Sequence, residues 1–307
     1  MRRWLALLCL LCATSLDAQT AAIGEIAGSS DEDGFTALRV RAGGLWRFAS
    51  PYEYTGAVAQ TSRYAYQDWT ENAPAVLVVW RKQDRNTLAG TMGEAGLVRA
   101  AGRTRVIGDA VWSLRPRPRT GAEFILAGDL VETKRALEQG TAYTYAAVSG
   151  EQQFGERFTA IGLAGYQRFT DGNERPHLRG RLIYLLHPDH GITAQIRWRQ
   201  FASEQLDEDP GYFNPDRYRE WQLALAIRKR YAGWQWYGSV GAGRETIDGN
   251  ITNPTLLVDV RAEGTVSGDV RVVARASYNR AAGFGLSDDY WYRVASINVI
   301  IPLKAKG

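Results

Sequence analysis

Metal and thiol chemistry have few residues to work with in this chain, which holds 3 His, 2 Cys and 2 Met among 307 residues. His187-Pro188-Asp189-His190 gathers two imidazoles and a carboxylate, the ligand types of a zinc site. Pro188 and Gly191 instead mark that segment as a tight turn. His177 has no serine fixed beside it by sequence, so a Ser-His pair has no support. Asp207-Glu208-Asp209 and Asp288-Asp289 are carboxylate runs, but a glycosidase needs two acids at a set separation and loop acids in water are far commoner. No catalytic residue, metal or cofactor is expected.

Arginine carries more information. Arg179 and Arg181 alternate with Leu178 and Leu182, and Arg197 and Arg199 alternate with Ile196 and Trp198. Arg228, Arg261, Arg271 and Arg275 sit in the same kind of pattern. A period of two puts such side chains on one face of a strand and the apolar ones on the other. Cross-strand pairing with Glu220, Asp259 or Glu263 would satisfy many of them and stiffen a wall. Arg179, Arg181, Arg197 and Arg199 lie on adjacent hairpin strands with no acid at equivalent positions between them. Their charges most need an outside partner, such as a passing polar or acidic polymer.

The elements that must hold these residues are long strands. The spacing predicts strands near 37-48, 74-84, 88-100, 104-115, 120-132, 141-150, 156-169, 177-187, 191-201, 218-229, 234-246, 254-266, 269-279 and 289-303. Runs of ten or more two-faced residues are long for a sandwich and long enough, when tilted, to cross a bilayer. Short turn-rich links alternate with longer polar ones, as in an outer-membrane barrel. The expectation is therefore an all-β chain forming a single transmembrane antiparallel up-and-down β-barrel of about 14 strands, within a range of 12 to 16. Residues 49-73, rich in tyrosine, form either a long loop or two further strands. Trp234 and Trp236 beside a short turn, with Trp221, Tyr290, Trp291 and Tyr292 beside long links, suit two interfacial girdles.

Composition narrows the class. Mean hydropathy is −0.30 and no internal stretch runs eighteen apolar residues, which excludes a helical membrane protein. Apolar content of 45% with 11% aromatics excludes a disordered chain. Arg2-Arg3 followed by an apolar run and a small-residue site after Ala18 reads as a secretory signal over 1-18. Residues 19-34 are then a periplasmic N-terminal segment and 35-307 the barrel. Cys9 and Cys12 leave with the signal, and losing Arg2, Arg3 and Asp17 lowers the formal charge from +4 to a value too small to argue for nucleic acid.

Tyr212-Phe213-Asn214-Pro215-Asp216-Arg217-Tyr218, followed by the strand from Arg219, then Gly233-Trp234-Gln235-Trp236 and Gly241-Ala242-Gly243-Arg244, resembles the C-terminal barrels of synthase-dependent exopolysaccharide exporters. The export porins for cellulose and poly-N-acetylglucosamine carry a similar Tyr-Phe-(Ser/Asn)-Pro-x-x-Tyr segment. The resemblance rests on residues 176-303 and extends to 35-175 by architecture. It implies a non-catalytic conduit in the Gram-negative outer membrane, contacting membrane lipid and an exopolysaccharide. It also implies a separate periplasmic tetratricopeptide scaffold and an inner-membrane glycosyltransferase as partners. Tyr212, Phe213 and Tyr218 would then offer flat faces to sugar rings at the mouth. A general porin, a barrel enzyme acting on lipid or glycan, and a surface adhesin or phage receptor are the alternatives.

Overall fold

The computed structural model describes residues 19–204, 211–267, 269–281 and 290–303. The secretory signal expected over 1-18 and the acids of 207–209, 288 and 289 lie outside them. Sixteen strands follow in chain order: β1 (Thr20–Asp31), β2 (Thr36–Ser50), β3 (Glu53–Tyr66), β4 (Trp69–Gln83), β5 (Gly90–Ala100), β6 (Arg103–Arg117), β7 (Thr120–Leu130) and β8 (Ala142–Phe154). The second half holds β9 (Phe158–Phe169), β10 (Glu174–His187), β11 (Ile192–Ala202), β12 (Arg217–Tyr231), β13 (Trp234–Ile247), β14 (Ile251–Thr265), β15 (Arg271–Arg280) and β16 (Trp291–Leu303). Each strand pairs antiparallel with its sequence neighbours, and β1 closes the barrel on β16 from Thr20 opposite Leu303 to Asp31 opposite Tyr292. Closure leaves no edge, so every strand's backbone groups find partners inside the sheet.

Two of the sixteen strands were not among the fourteen expected. β1 occupies most of 19-34, so that segment is part of the barrel wall and not a lead-in to it. β3, with an earlier start to β4, fills 49-73. Both have weak signals for one reason: their lipid faces are small. On β3, Gly56, Val58, Gln60, Ser62 and Tyr64 are buried within the barrel, whereas Ala59 and Thr61 point out. On β1 the outward residues include Gly24, Ile26 and Gly28, of which Ile26 alone is large.

The alternation of short and long links holds for only part of the barrel. At the end where β1 begins and β16 finishes, called here the terminal end, the links include 51–52, 118–119, 155–157 and 232–233. The opposite, loop end carries 131–141, 203–216 and 281–290, but also tight links at 67–68, 101–102 and 248–250. The long links are therefore confined to β7 onward. Within 131–141 a single helix, α1 (Lys134–Gln139), is capped by Thr133, whose side chain accepts from the Ala136 amide, and ends at Gly140 with φ 69°.

The outer face is an apolar belt. Val76, Leu97, Val106, Leu126, Leu223, Leu225, Val240 and Val260 are each more than two-fifths exposed there. A soluble domain does not leave so much contiguous apolar surface to water, and a closed barrel does so in order to face lipid. Trp46, Trp112, Phe154, Phe158, Tyr231 and Trp236 stand exposed toward the terminal end and Trp221 toward the loop end, in keeping with interfacial girdles. Tyr290 departs from that expectation: it is buried and its hydroxyl donates to Asp31.

The inner face divides in two. From β2 to β6 it is largely apolar, with Leu45, Val58, Ala73, Ala75, Leu77, Val79, Val98 and Ile107 in one buried cluster that also receives Leu137 of α1. On β4 both faces are apolar, since Val76 and Val78 face out between the buried Ala75, Leu77 and Val79. At Gly108, φ is 153° and an added Cβ would meet the Glu94 carbonyl oxygen of the next strand. The arginines expected to line the pore lie on β10, β11, β12, β14 and β15.

Candidate functional site

The β10–β11 hairpin sets Arg179 opposite Arg199 and Arg181 opposite Arg197. Like charges placed directly across a ladder repel, so each guanidinium's other contacts decide what the wall can do. Arg199 is neutralised. β12 pairs on the far side of β11 and places Glu220 opposite Arg199; the two form an ion pair. Arg199 also donates to the Tyr218 hydroxyl at 2.8 Å and lies 4.9 Å over its ring. The acid missing from the hairpin comes from the third strand, which the hairpin's own sequence does not reveal.

The remaining three arginines form no direct ion pair among the described residues, although the Asp259 charge acts on Arg197 from across the cavity. Arg181 donates to Gln195 Oε1 through Nε (3.0 Å) and Nη2 (2.5 Å), and Arg197 donates to the same oxygen through Nε (3.1 Å) and Nη2 (2.9 Å). Arg197 Nη2 also reaches Ser239 Oγ at 2.8 Å. Arg179 makes no hydrogen bond or ion pair among the described residues and is exposed to the interior. A cavity of about 460 Å³ is lined by all four arginines with Glu220, Tyr237 and Asp259. A second, of about 480 Å³, shares Arg179 and Arg199 and continues to Arg39, Arg175 and His177. The two are successive parts of one interior surface.

The other expected pore arginines divide in the same manner. Arg261 and Arg271 both pair with Glu263, Arg261 at 2.6 Å, and so brace the wall. Arg228 lies 5.8 Å from the Tyr237 ring, and Arg275 is exposed, set opposite Arg261. In the first half of the barrel the charges close on themselves. Arg41 bridges β2 to Glu94 on β5 through Nη1 at 2.9 Å and Nη2 at 2.5 Å, spanning two intervening strands. Arg39 reaches Glu132 of the 131–141 loop at 3.0 Å, where burial pushes the Glu132 carboxyl above the usual carboxylate range against the pull of Arg39.

The aromatic motif serves a different purpose from the one its sequence suggests. Tyr212 and Tyr218 are 8% and 0% exposed, and their faces are already covered: Tyr212 stacks on Phe169 at 4.7 Å and Tyr218 on Phe201 at 4.8 Å. Phe213 packs edge-on against Phe201 and Tyr218. They anchor residues 211–218 to the wall, and the covered faces of Tyr212 and Tyr218 are not free for sugar rings. Sequence reasoning missed the residue that fastens this strap. Arg175, buried near the loop end of β10, donates to Phe213 O at 2.8 Å, Asn214 Oδ1 at 3.2 Å and Ser203 Oγ at 3.2 Å. Its guanidinium also lies over Phe169 and Phe201. Thr133 donates to Gly211 O, which ties the strap to the loop bearing α1. A single arginine before Pro176 carried no pattern that could have singled it out.

The histidines hold no shared site. His177 packs between Tyr145 and Phe201 and hydrogen-bonds Gln167 Oε1 at 3.0 Å. His187 and His190 stack at 4.4 Å on the exposed 3-10 turn before Gly191, whose φ is 61°.

No family model matches the chain, and no curated protein matches it. Solved structures do. A structure described as a bacterial polysaccharide outer membrane secretin aligns with a TM-score of 0.66 over 94% of this chain and 100% of that one, at 12% identity. OccK7 and OprD of Pseudomonas aeruginosa align over 93% and 94% of this chain, with TM-scores of 0.46 at 11% and 12% identity. The shared property is the fold. This chain is a closed sixteen-strand β-barrel with the apolar outer belt of a barrel that faces lipid, and the outer-membrane barrel of the first of these structures has the same fold.

Proposed function

We propose that the barrel is a passive, non-catalytic conduit in the outer membrane through which an exopolysaccharide leaves the cell. One observation carries the reading: Arg179, Arg181 and Arg197, none held in a direct ion pair among the described residues, border interior cavities that succeed one another along the wall. A polymer crossing a fixed pore must be held weakly at many points, and guanidinium forks spaced along a wall do this better than one tight pocket. The likeness in fold to a polysaccharide outer-membrane barrel agrees with it. A tetratricopeptide scaffold and an inner-membrane glycosyltransferase would complete the route as separate partners.

Deleting the gene should leave polymer or its precursors in the periplasm. Arg179→Ala with Arg197→Ala should lower secretion while the barrel still assembles. Undiminished polymer on the surface of the deletion strain would overturn the reading. A small-solute channel is the second reading, favoured by the Arg41–Glu94 and Arg39–Glu132 links that cross the interior. It predicts uptake defects and unchanged secretion in the same strain.

A further inference from the structure

Gln195 is asked to accept more than it can. Four N–H donors from two guanidinium groups lie within 3.1 Å of its single Oε1, yet an amide oxygen has two lone pairs. One hydrogen of its own Nε2 goes to Thr193 Oγ1 at 3.0 Å, and the residue is 5% exposed. The guanidinium groups of Arg181 and Arg197 therefore converge on one neutral acceptor across directly opposed register positions, and the further partners of Arg197, Ser239 and Tyr237, are neutral as well. Arg179 stands one inward position along β10 from Arg181, with no partner among the described residues. The acids on this cavity are Glu220, which is committed to Arg199, and Asp259, whose charge acts on Arg197 across the cavity without a direct ion pair. Donors and positive charge are in excess over acceptors and negative charge, on a surface large enough for a sugar unit.

Resting on the conduit reading, we infer that Arg181 and Arg197, with Arg179 beside them, form a binding station for the acidic group of an anionic polysaccharide. A carboxylate or sulfate brought to the pair would take the surplus N–H donors in the charge-assisted, two-pronged geometry that guanidinium favours. The repulsion between opposed arginines would be relieved only while the anion is present. Gln195 would hold the forks in position between passages without competing as a charge. A neutral glucan or a polyamine-like glycan would gain nothing from this arrangement.

The decisive variant is Gln195→Glu, which has nearly the same shape and installs the missing carboxylate at the point of convergence. In planar bilayers, the full barrel should conduct with anion selectivity, and a galacturonate hexamer should block its current. Cellohexaose and a chitosan hexamer should block weakly or not at all. Gln195→Glu should weaken the galacturonate block by roughly tenfold to a hundredfold without loss of folded barrel, because the internal acid occupies both forks. Arg181→Gln with Arg197→Gln should weaken it similarly, and Gln195→Glu keeps the test alive if that pair fails to assemble. Block by cellohexaose or chitosan equal to that by galacturonate, or a galacturonate block unmoved by Gln195→Glu, would overturn the inference. Polymer retained in the deletion strain despite such a result would leave the conduit standing with a different substrate class. A galacturonate block that behaves as stated, with secretion undiminished in that strain, would keep the anion station and remove export.

Discussion

Arg179 and Arg199 face each other across one hairpin and differ in everything else. Arg199 satisfies Glu220, which is 6% exposed, so truncating it leaves a buried carboxylate without its counter-charge. Arg199→Ala should cost on the order of 2 kcal/mol in urea unfolding of the detergent-solubilised barrel. Arg179→Ala, which removes no hydrogen bond or ion pair, should change stability by less than about 0.5 kcal/mol and act on transport alone. Equal losses from the two variants would show that Arg179 has a structural partner in solution. The sequence allowed these residues to be placed on the inner face, because alternation alone fixes the face of a strand. It did not allow Arg199 to be separated from Arg179, because the deciding acid lies on β12, across a long connection, in a register that the pattern of β10 and β11 does not set.

At the scale of elements, legibility followed side-chain size. β12 announces itself through Trp221, Leu223, Leu225 and Ile227 on its lipid face, whereas β3 exposes Ala59 and Thr61 and β1 exposes little beyond Ile26. The 212–218 segment was legible as a loop-to-strand transition. Its inward fold was not, since it depends on Arg175 from another hairpin. That anchoring makes the strap a mouth element. Arg175→Met keeps an apolar stem among Phe169, Phe201 and Tyr212 but removes two hydrogen bonds to 211–214 and one to Ser203, weakening docking of 211–214 by roughly 1–3 kcal/mol. Single-channel currents of this variant should be larger and noisier than those of the parent, with the sign of ion selectivity retained because Arg179, Arg181 and Arg197 lie further down the wall. Unchanged current would mean that the strap does not restrict the path. In the resembling segment Gly241-Ala242-Gly243-Arg244, Gly243 has a local reason of its own: a Cβ there would collide with the Trp221 carbonyl oxygen of β12.

The whole molecule depends on the evenness of its strand count. Each strand runs opposite to its neighbours, so β1 can close antiparallel on β16 only because fourteen strands separate them. Residues 20–31 look dispensable in the sequence, being small, weakly apolar and ahead of the first strong strand. In the barrel they supply the whole seam, with Ile23 opposite Ile300, Glu25 opposite Asn298 and Ala27 opposite Ser296. Removing them would leave β2 and β16 either to pair parallel, in a ladder neither strand is registered for, or to stand as two open edges in the bilayer, where unpaired backbone groups are costly. The parent should migrate differently before and after boiling and resist protease in detergent, as a closed barrel does. The chain lacking 20–31 should lose both properties, whereas removing the β1–β2 hairpin restores an even count and should recover part of the heat-modifiable form. If the chain lacking only 20–31 kept its heat-modifiable migration, β1 would be an accessory to a fifteen-strand barrel and the seam described here would be wrong.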